Sequence, residues 1–303
     1  MKKFQIGVVM VVLFLMQYKT FIVGAEETLG NVLIPGNKIV LKNGMDLSGK
    51  SICRFEPKSS NMIAVNINFD GCAFSGTQEL FDISFYNCSF RKARIHNLIT
   101  LPVFGDNNDF TDADILDIGQ IYMTRKQLES TFSFKQKFLT GIYFSGSDLS
   151  GIDFSGFTLR KMGFGGATIT NCTFTDAVIE ECTLGNEKSR ITLEQLQSTR
   201  NFKDGHLINM RLNIEWPEEL ADFSGMNLTG CFFGPNVNRT LGTENQAKVN
   251  LTDSVITNCD FRKFKGITLE NIKSTWNYKH NRMEGIQLPE EIQKALDAEK
   301  DEQ

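Results

Sequence analysis

The chain has 303 residues and a formal net charge of −4 at neutral pH. That length suffices for a large buried core, and the mild acidity speaks against a basic surface for nucleic acid. Phenylalanine outnumbers the other aromatics, 25 against 5 Tyr and 2 Trp, so its ring is a structural unit of this chain. Residues 1–25 read as a cleaved secretory signal peptide: Lys2 and Lys3 form the charged start, Ile6 to Met16 the apolar stretch, and Val23, Gly24 and Ala25 the small residues before the cut. Gln17, Tyr18, Lys19 and Thr20 end the apolar run before it reaches the ~18 residues that a membrane span needs. Cleavage removes Lys2, Lys3 and Lys19 and no acid, which takes the net charge from −4 to −7. The expected location is the periplasm, the envelope or the medium, with no membrane span after cleavage.

Residues 26–60 hold only a fragment of the pattern that follows, Asp46-Leu47-Ser48-Gly49 with Ile52 five residues after Leu47. They read as an N-terminal cap. From Phe69 and Phe74 onward, large apolar residues recur at every fifth position. Leu80, Phe85, Phe90 and Ile95 follow after a slip, then a loop over 97–107, then Phe110 and Ile115. The longest run is Leu139, Phe144, Leu149, Phe154, Leu159, Phe164, Ile169, Phe174, Ile179 and Leu184, without a break. Two places before most of these stands another small or apolar residue, such as Ile142, Ile152, Ala167, Cys172 or Cys182. A period of five fits neither a helix nor a simple strand. It requires a chain that turns a corner every five residues and returns the same side chain to a common axis, as a solenoid does.

The segments Ser147-Asp148-Leu149-Ser150-Gly151, Ala221-Asp222-Phe223-Ser224-Gly225 and Met226-Asn227-Leu228-Thr229-Gly230 resemble the A-(D/N)-L-x-x signature of pentapeptide-repeat proteins. The resemblance runs with interruptions from about Asn66 to Leu288. It implies an all-β fold, a right-handed quadrilateral parallel β-helix with four pentapeptides per coil and coils about 4.8 Å apart. A sequence pattern, and no shared chemistry, defines that family. The resemblance therefore bears on fold and leaves function open.

Within a solenoid expected over 61–288 lies a longer repeat. Met123 to Phe144, Ile191 to Leu212 and Ile267 to Leu288 align without a gap. Thr124, Thr192 and Thr268, the pairs Ser130-Thr131, Ser198-Thr199 and Ser274-Thr275, and Lys135, Lys203 and Lys279 recur in register. Thr124 with Gln127 and Thr192 with Gln195 match a capping box. Short helices are therefore expected near 124–134, 192–202 and 268–278, anchored by Leu128, Leu196 and Ile272, with the ladder resumed at Leu139, Leu207 and Met283. The recurrent lysines are expected to complement the helix C-termini. Residues 213–220, with Trp216-Pro217, and 234–248 read as surface loops. Pro289 starts a C-terminal capping helix over 289–303 with Ile292, Ala295 and Leu296 on one face.

Reactive constellations are sparse. Six of the seven cysteines (Cys72, Cys88, Cys172, Cys182, Cys231 and Cys259) lie two places before a ladder residue and read as buried free thiols, with Cys53 outside the phase. His96, His206 and His280 occupy unrelated positions, and no zinc-ligand spacing occurs, so no metal and no cofactor are expected. Asp112, Asp114 and Asp117 cluster, as do Glu180 and Glu181; turn-forming or solvated acids are the expectation, and no catalytic residue is assigned. The pairs Arg91-Lys92, Arg160-Lys161 and Arg262-Lys263 each follow a ladder residue and are candidate surface contacts if they share a wall. Of the sequons at Asn87, Asn171, Asn227, Asn238 and Asn250, only Asn238 lies in an expected loop.

These readings point to an exported, non-enzymatic solenoid that acts as a scaffold or a binding module for a protein or envelope component. One alternative is an enzyme on a cell-envelope polysaccharide, with the loops 97–107, 213–220 and 234–248 lining a cleft. The resemblance implies a further one, a DNA-mimicking inhibitor of type II topoisomerases. Export and the Arg-Lys pairs weigh against it, and no nucleic-acid partner is expected.

Overall fold

The computed structural model describes residues 28–57, 62–74, 83–98, 103–105, 107–185, 190–234 and 248–301. The expected signal peptide, Leu80, and Asn238 with nearly all of its loop lie outside them.

Several of the five-residue steps share one kind of turn. An Asp or Asn just before the inward residue accepts the N–H two places on: Asp148 from Ser150 at 3.0 Å, Asp222 from Ser224 at 3.0 Å and Asn250 from Thr252 at 3.0 Å. This Asx turn bends the chain. The corner residue two places after the inward one is left-handed, with φ of 70° at Gly151 and 58° at Asp112, so Gly, Asn and Asp gather there.

Four such steps close a right-handed, four-sided coil, and coils stack through parallel pairing. One wall carries Ile52, Phe74, Ile95 and Ile115 in register. It continues through Leu139, Leu159 and Ile179, because the corner at Gly141 packs directly on Asp117. The next wall is threaded by bridges that join Tyr143, Gly163, Thr183, Arg211, Phe232, Asp260 and Gln287. Their inward neighbours Phe144, Phe164, Leu184, Leu212, Phe233 and Phe261 are buried. The wall before Ile95 stacks Phe69, Phe90 and Phe110 with centroids 5.0 and 5.1 Å apart and planes within 12°. Such pairs add roughly 0.5–1.5 kcal/mol each to the burial of the rings.

The helices occur as three pairs: α1 (Arg125–Ser130) with α2 (Phe132–Lys135), α3 (Leu193–Gln197) with α4 (Arg200–Lys203), and α5 (Leu269–Ser274) with α6 (Trp276–Lys279). Thr124, Thr192 and Thr268 close capping boxes with Gln127, Gln195 and Asn271. The fully buried Thr131, Thr199 and Thr275 cap the second helix of each pair. Leu128, Leu196 and Ile272 are fully buried. A helix cannot extend a parallel ladder, so a side chain does so instead. Ser133 Oγ accepts the Ile115 N–H at 2.8 Å, Asn201 Oδ1 that of Ile179 at 2.6 Å, and Asn277 Oδ1 that of Ile256 at 2.7 Å.

Three readings need correction. Parallel stacking begins at Asp46 and Ile52, inside the stretch read as a cap. Val103–Phe104 is a strand paired with Ser84 and Phe85, where a loop was expected. The step from Ile95 is one residue short there, and buried Asn108 fills the corner by bonding the Cys88 N–H and the Phe85 and Gly105 carbonyls. The stretch 213–220 buries Ile214 and Trp216, with Trp216 stacked on Phe233 at 6.0 Å and tilted at 59° against Phe264 at 4.8 Å.

At the N-terminal end an antiparallel sheet of Thr28–Ile34, Asn37–Lys42 and Arg54–Pro57 lies over the first coil. Its Phe55 packs on Phe69, Phe74 and Phe85. At the other end α7 (Glu290–Asp301) buries Leu296 and pairs Glu299 with Lys273. No helix among the described residues is long and apolar enough to cross a membrane.

Candidate functional site

The three basic pairs fall on three successive corners. Arg91 and Lys92 follow Phe90, Arg160 and Lys161 follow Leu159 on the next wall, and Arg262 and Lys263 follow Phe261 on the wall after that. The structure does not bring them into one stripe. The arginines also have partners: Arg91 Nε lies 4.0 Å from Asp109, Arg160 2.7 Å from Glu180, and Arg262 Nη2 2.8 Å from Asp260. Lys92 and Lys161 are corner residues with φ of 57° and 51°. Lys263 is exposed.

The acids are similarly engaged. Lys135, Lys203 and Lys279 reach back to Asp112, Asp176 and Asp253 on the preceding coil, at 2.6, 2.9 and 2.7 Å. These lysines act on a carboxylate at a left-handed corner as well as on their own helix ends. The hydrogen bond from Lys135 holds Asp112 below the usual carboxylate range, and that from Lys203 does the same for Asp176. Asp114 accepts from Ser133 and lies 2.9 Å from His96. Asp117 and Glu181 are corner residues. His206 Nδ1 lies 2.5 Å from the Asp204 carbonyl, and His280 stacks on Trp276 with centroids 4.3 Å apart.

Six thiols point into the core and donate to the carbonyl of a preceding coil, as Cys172 does to Leu149 at 3.1 Å and Cys231 to Leu207 at 2.8 Å. Burial pushes Cys72, Cys88 and Cys172 up to about 11 and Cys182 and Cys231 up to about 12. Cys53 is exposed. No group of described His, Cys, Asp and Glu residues forms a metal-ligand set.

Sequence reasoning did not find one concavity among the described residues. It is a shallow cleft of about 360 Å³ between the first helical pair and the next coil, lined by Arg125, Glu129, Phe134, Lys135, Lys137, Asp153 and Phe157. Arg125 Nε pairs with Glu129 at 2.7 Å, and its Nη1 donates to the Ser150 carbonyl at 3.3 Å. Lys137 donates to the Ser155 carbonyl at 3.0 Å and lies 5.9 Å from the Phe157 ring. Asp153 accepts from the Ser155 N–H at 2.9 Å and from Thr173 Oγ1 at 2.5 Å; bonds from Ser155 and Thr173 lower its carboxyl to about 2. The cleft thus offers cations, carboxylate acceptors and a ring edge within one small volume. Its signal lay in the helical repeat, at the positions where the copies differ.

The family model of pentapeptide repeats matches residues 139–176 in 8 copies. Among solved structures the chain is similar to QnrB1, a plasmid-mediated fluoroquinolone resistance protein, at 18% identity over 80% of this chain and 97% of that one, with a TM-score of 0.20. It is also similar to HetL, a pentapeptide-repeat protein involved in heterocyst differentiation regulation in the cyanobacterium Nostoc, at 13% identity over 72% and 75% of the two chains, with a TM-score of 0.20. No curated protein matches the chain. Pentapeptide repeats thus match over 139–176, within coils that close on four sides.

Proposed function

We propose that the protein is an exported, non-enzymatic solenoid that serves as a rigid binding rod or scaffold for a protein or envelope component. The observation that carries this reading is the engagement of its reactive groups in the coils themselves. Six thiols are buried with raised pKa values. The acids form turns or pair with a lysine or arginine of a neighbouring coil. A nucleophile or general acid must be free to meet a substrate, and these groups are tied into a lattice that a reaction would disturb. The same pairing of charge across coils weighs against a uniformly acidic, duplex-like face. Export rests on the reading of residues 1–25 alone.

Two measurements test this. N-terminal sequencing of the native protein should find a start near Glu26; an intact, cytosolic N-terminus would overturn export and revive the topoisomerase-binding alternative. A pull-down from the native envelope or medium with intact protein should retain a partner, and a variant lacking 234–248 shows whether that loop carries the contact. A polysaccharide hydrolase activity lost in Asp112→Asn or Glu181→Gln would refute the non-enzymatic reading.

A further inference from the structure

The three helical pairs are internal copies of one device, so the positions where one copy departs from the others carry information. Arg125 stands where the other copies have Leu193 and Leu269, and Lys137 where they have Gly205 and Asn281. Leu193 is buried and Leu269 packs against the core, whereas Arg125 is exposed. Lys137 holds a φ of 55°, a conformation that Gly205 adopts at 72° with no side-chain penalty. By contrast, Phe134 and Lys135 recur as Phe202 and Lys203, and as Tyr278 and Lys279. Two lining residues are thus repeated three times, and Arg125 and Lys137 occur at their positions in the first copy alone.

The chemistry of the lining is specific. Lys137 donates to a neutral carbonyl and forms no direct ion pair among the described residues, and the carboxylate its charge acts on is Asp153 of the same cleft. Arg125, at the start of α1, also lines the cleft, with its Nε on Glu129 and its Nη1 on the Ser150 carbonyl. Glu129 and Asp153 present carboxylate oxygens that accept hydroxyl protons, and Phe134 offers an apolar edge. Cations, acceptors and a ring together suit a polyhydroxylated ring that bears one carboxylate. A neutral sugar would cover Lys137 without supplying a counter-charge. A phosphate would set two negative charges against Glu129 and Asp153. The volume of about 360 Å³ lies at the small end of ligand clefts and has room for one or two sugar rings.

We propose that the cleft beside the first helical pair binds an acidic saccharide, with the carboxylate of a uronic-acid ring held by Lys137 and Arg125. This rests on the reading of the protein as a binding rod and names its ligand class. The test is calorimetric titration of the intact mature protein with glucuronic acid, an oligogalacturonate, glucose and inorganic phosphate. The variants are Arg125→Leu and Lys137→Gly, which restore residues of the second copy, and a thermal melt checks that both still fold. The uronates should bind, and each variant should bind them about tenfold more weakly, the worth of one charge-assisted hydrogen bond. Glucose should bind more weakly than glucuronic acid. Tighter binding of the oligomer points to a polymer as the source, and equal binding to a free acid; either supports the proposal. Loss of all uronate binding in the parent, equal binding of glucose, unchanged binding in both folded variants, or equally strong binding of phosphate would each overturn it. If uronates fail and the envelope pull-down still retains a partner, only this inference falls.

Discussion

Asn277→Ala isolates the contact that lets a helix stand in for a strand. Asn277 is fully buried. It accepts the Ile256 N–H at 2.7 Å and donates to the Arg282 carbonyl at 2.8 Å and Thr257 Oγ1 at 3.0 Å. Alanine leaves a buried main-chain N–H and a part-buried carbonyl without their side-chain partner. At about 1–3 kcal/mol for an orphaned buried group, with partial relief from relaxation, the loss should be about 2–4 kcal/mol. Asn277→Ser reproduces the first copy, where Ser133 Oγ serves Ile115 at 2.8 Å. Serine keeps an acceptor for Ile256 and gives up the amide donors, so its loss should be about 1 kcal/mol. Urea unfolding followed by circular dichroism gives both values from the shift in midpoint at constant slope. Hydrogen exchange at the Ile256 amide should quicken in the alanine variant and much less in the serine variant. If the two variants lie within about 0.5 kcal/mol of each other, packing of Ile272 alone seats the helix and the side-chain bridge is incidental.

Three other outcomes follow from the same packing. Trp216 is 6% exposed and its indole N–H has no partner among the described residues; Trp216→Phe should stay within about 1 kcal/mol of the parent in thermal melts, against a loss of about 3–5 kcal/mol for Trp216→Ala. Of the seven cysteines, only Cys53 is exposed, so native protein at pH 8 should take up one equivalent of iodoacetamide, and seven only after unfolding. Rapid labelling of Cys172 or Cys231 would contradict the packing. Asp153 titrates near 2 when folded because Ser155 and Thr173 bond its carboxylate. A depressed folded pKa contributes stability above the ordinary carboxylate value and loses it as pH falls toward the folded one. The melting temperature should therefore drop between about pH 4 and pH 2, and the drop should be smaller in Asp153→Asn; an identical acid profile would exclude Asp153 as a contributor.

The ladder was legible because a period of five has one structural solution, and Phe144, Phe154, Phe164 and Phe174 all face the core. The exceptions share a cause. Phe104 follows Ile95 by nine residues, and Asn108 makes up the difference with side-chain hydrogen bonds that no apolar pattern records. Trp216 sits beside Pro217, which reads as a turn, yet the indole replaces a phenylalanine within the stack. The basic pairs could be placed on walls only once the length of each helical excursion was known. The partners of Lys135, Lys203 and Lys279 were closer to hand. Phe110-Thr111-Asp112-Ala113 repeats as Phe174-Thr175-Asp176-Ala177, and those are the coils to which the first two lysines return.

The cleft follows from how the excursion is secured. Three contacts attach a helical pair to the coil before it: a capped start, a side chain that accepts the open ladder N–H, and a lysine on a corner aspartate. Asp112, Asp176 and Asp253 adopt the left-handed corner that Gly151 and Gly225 occupy elsewhere. A left-handed residue other than glycine is strained by about 1 kcal/mol, and a partly exposed ion pair contributes about the same, so aspartate is tolerated at a corner where a lysine arrives. Because these contacts suffice, the remaining positions of the excursion are released from holding the fold. Positions 125 and 137 are among them: leucine or arginine serves at the first, and glycine, asparagine or lysine at the second. A solenoid of this kind gains a binding site most readily where a repeated device meets the next coil, since a cation placed there alters the surface and leaves the ladder of rings untouched.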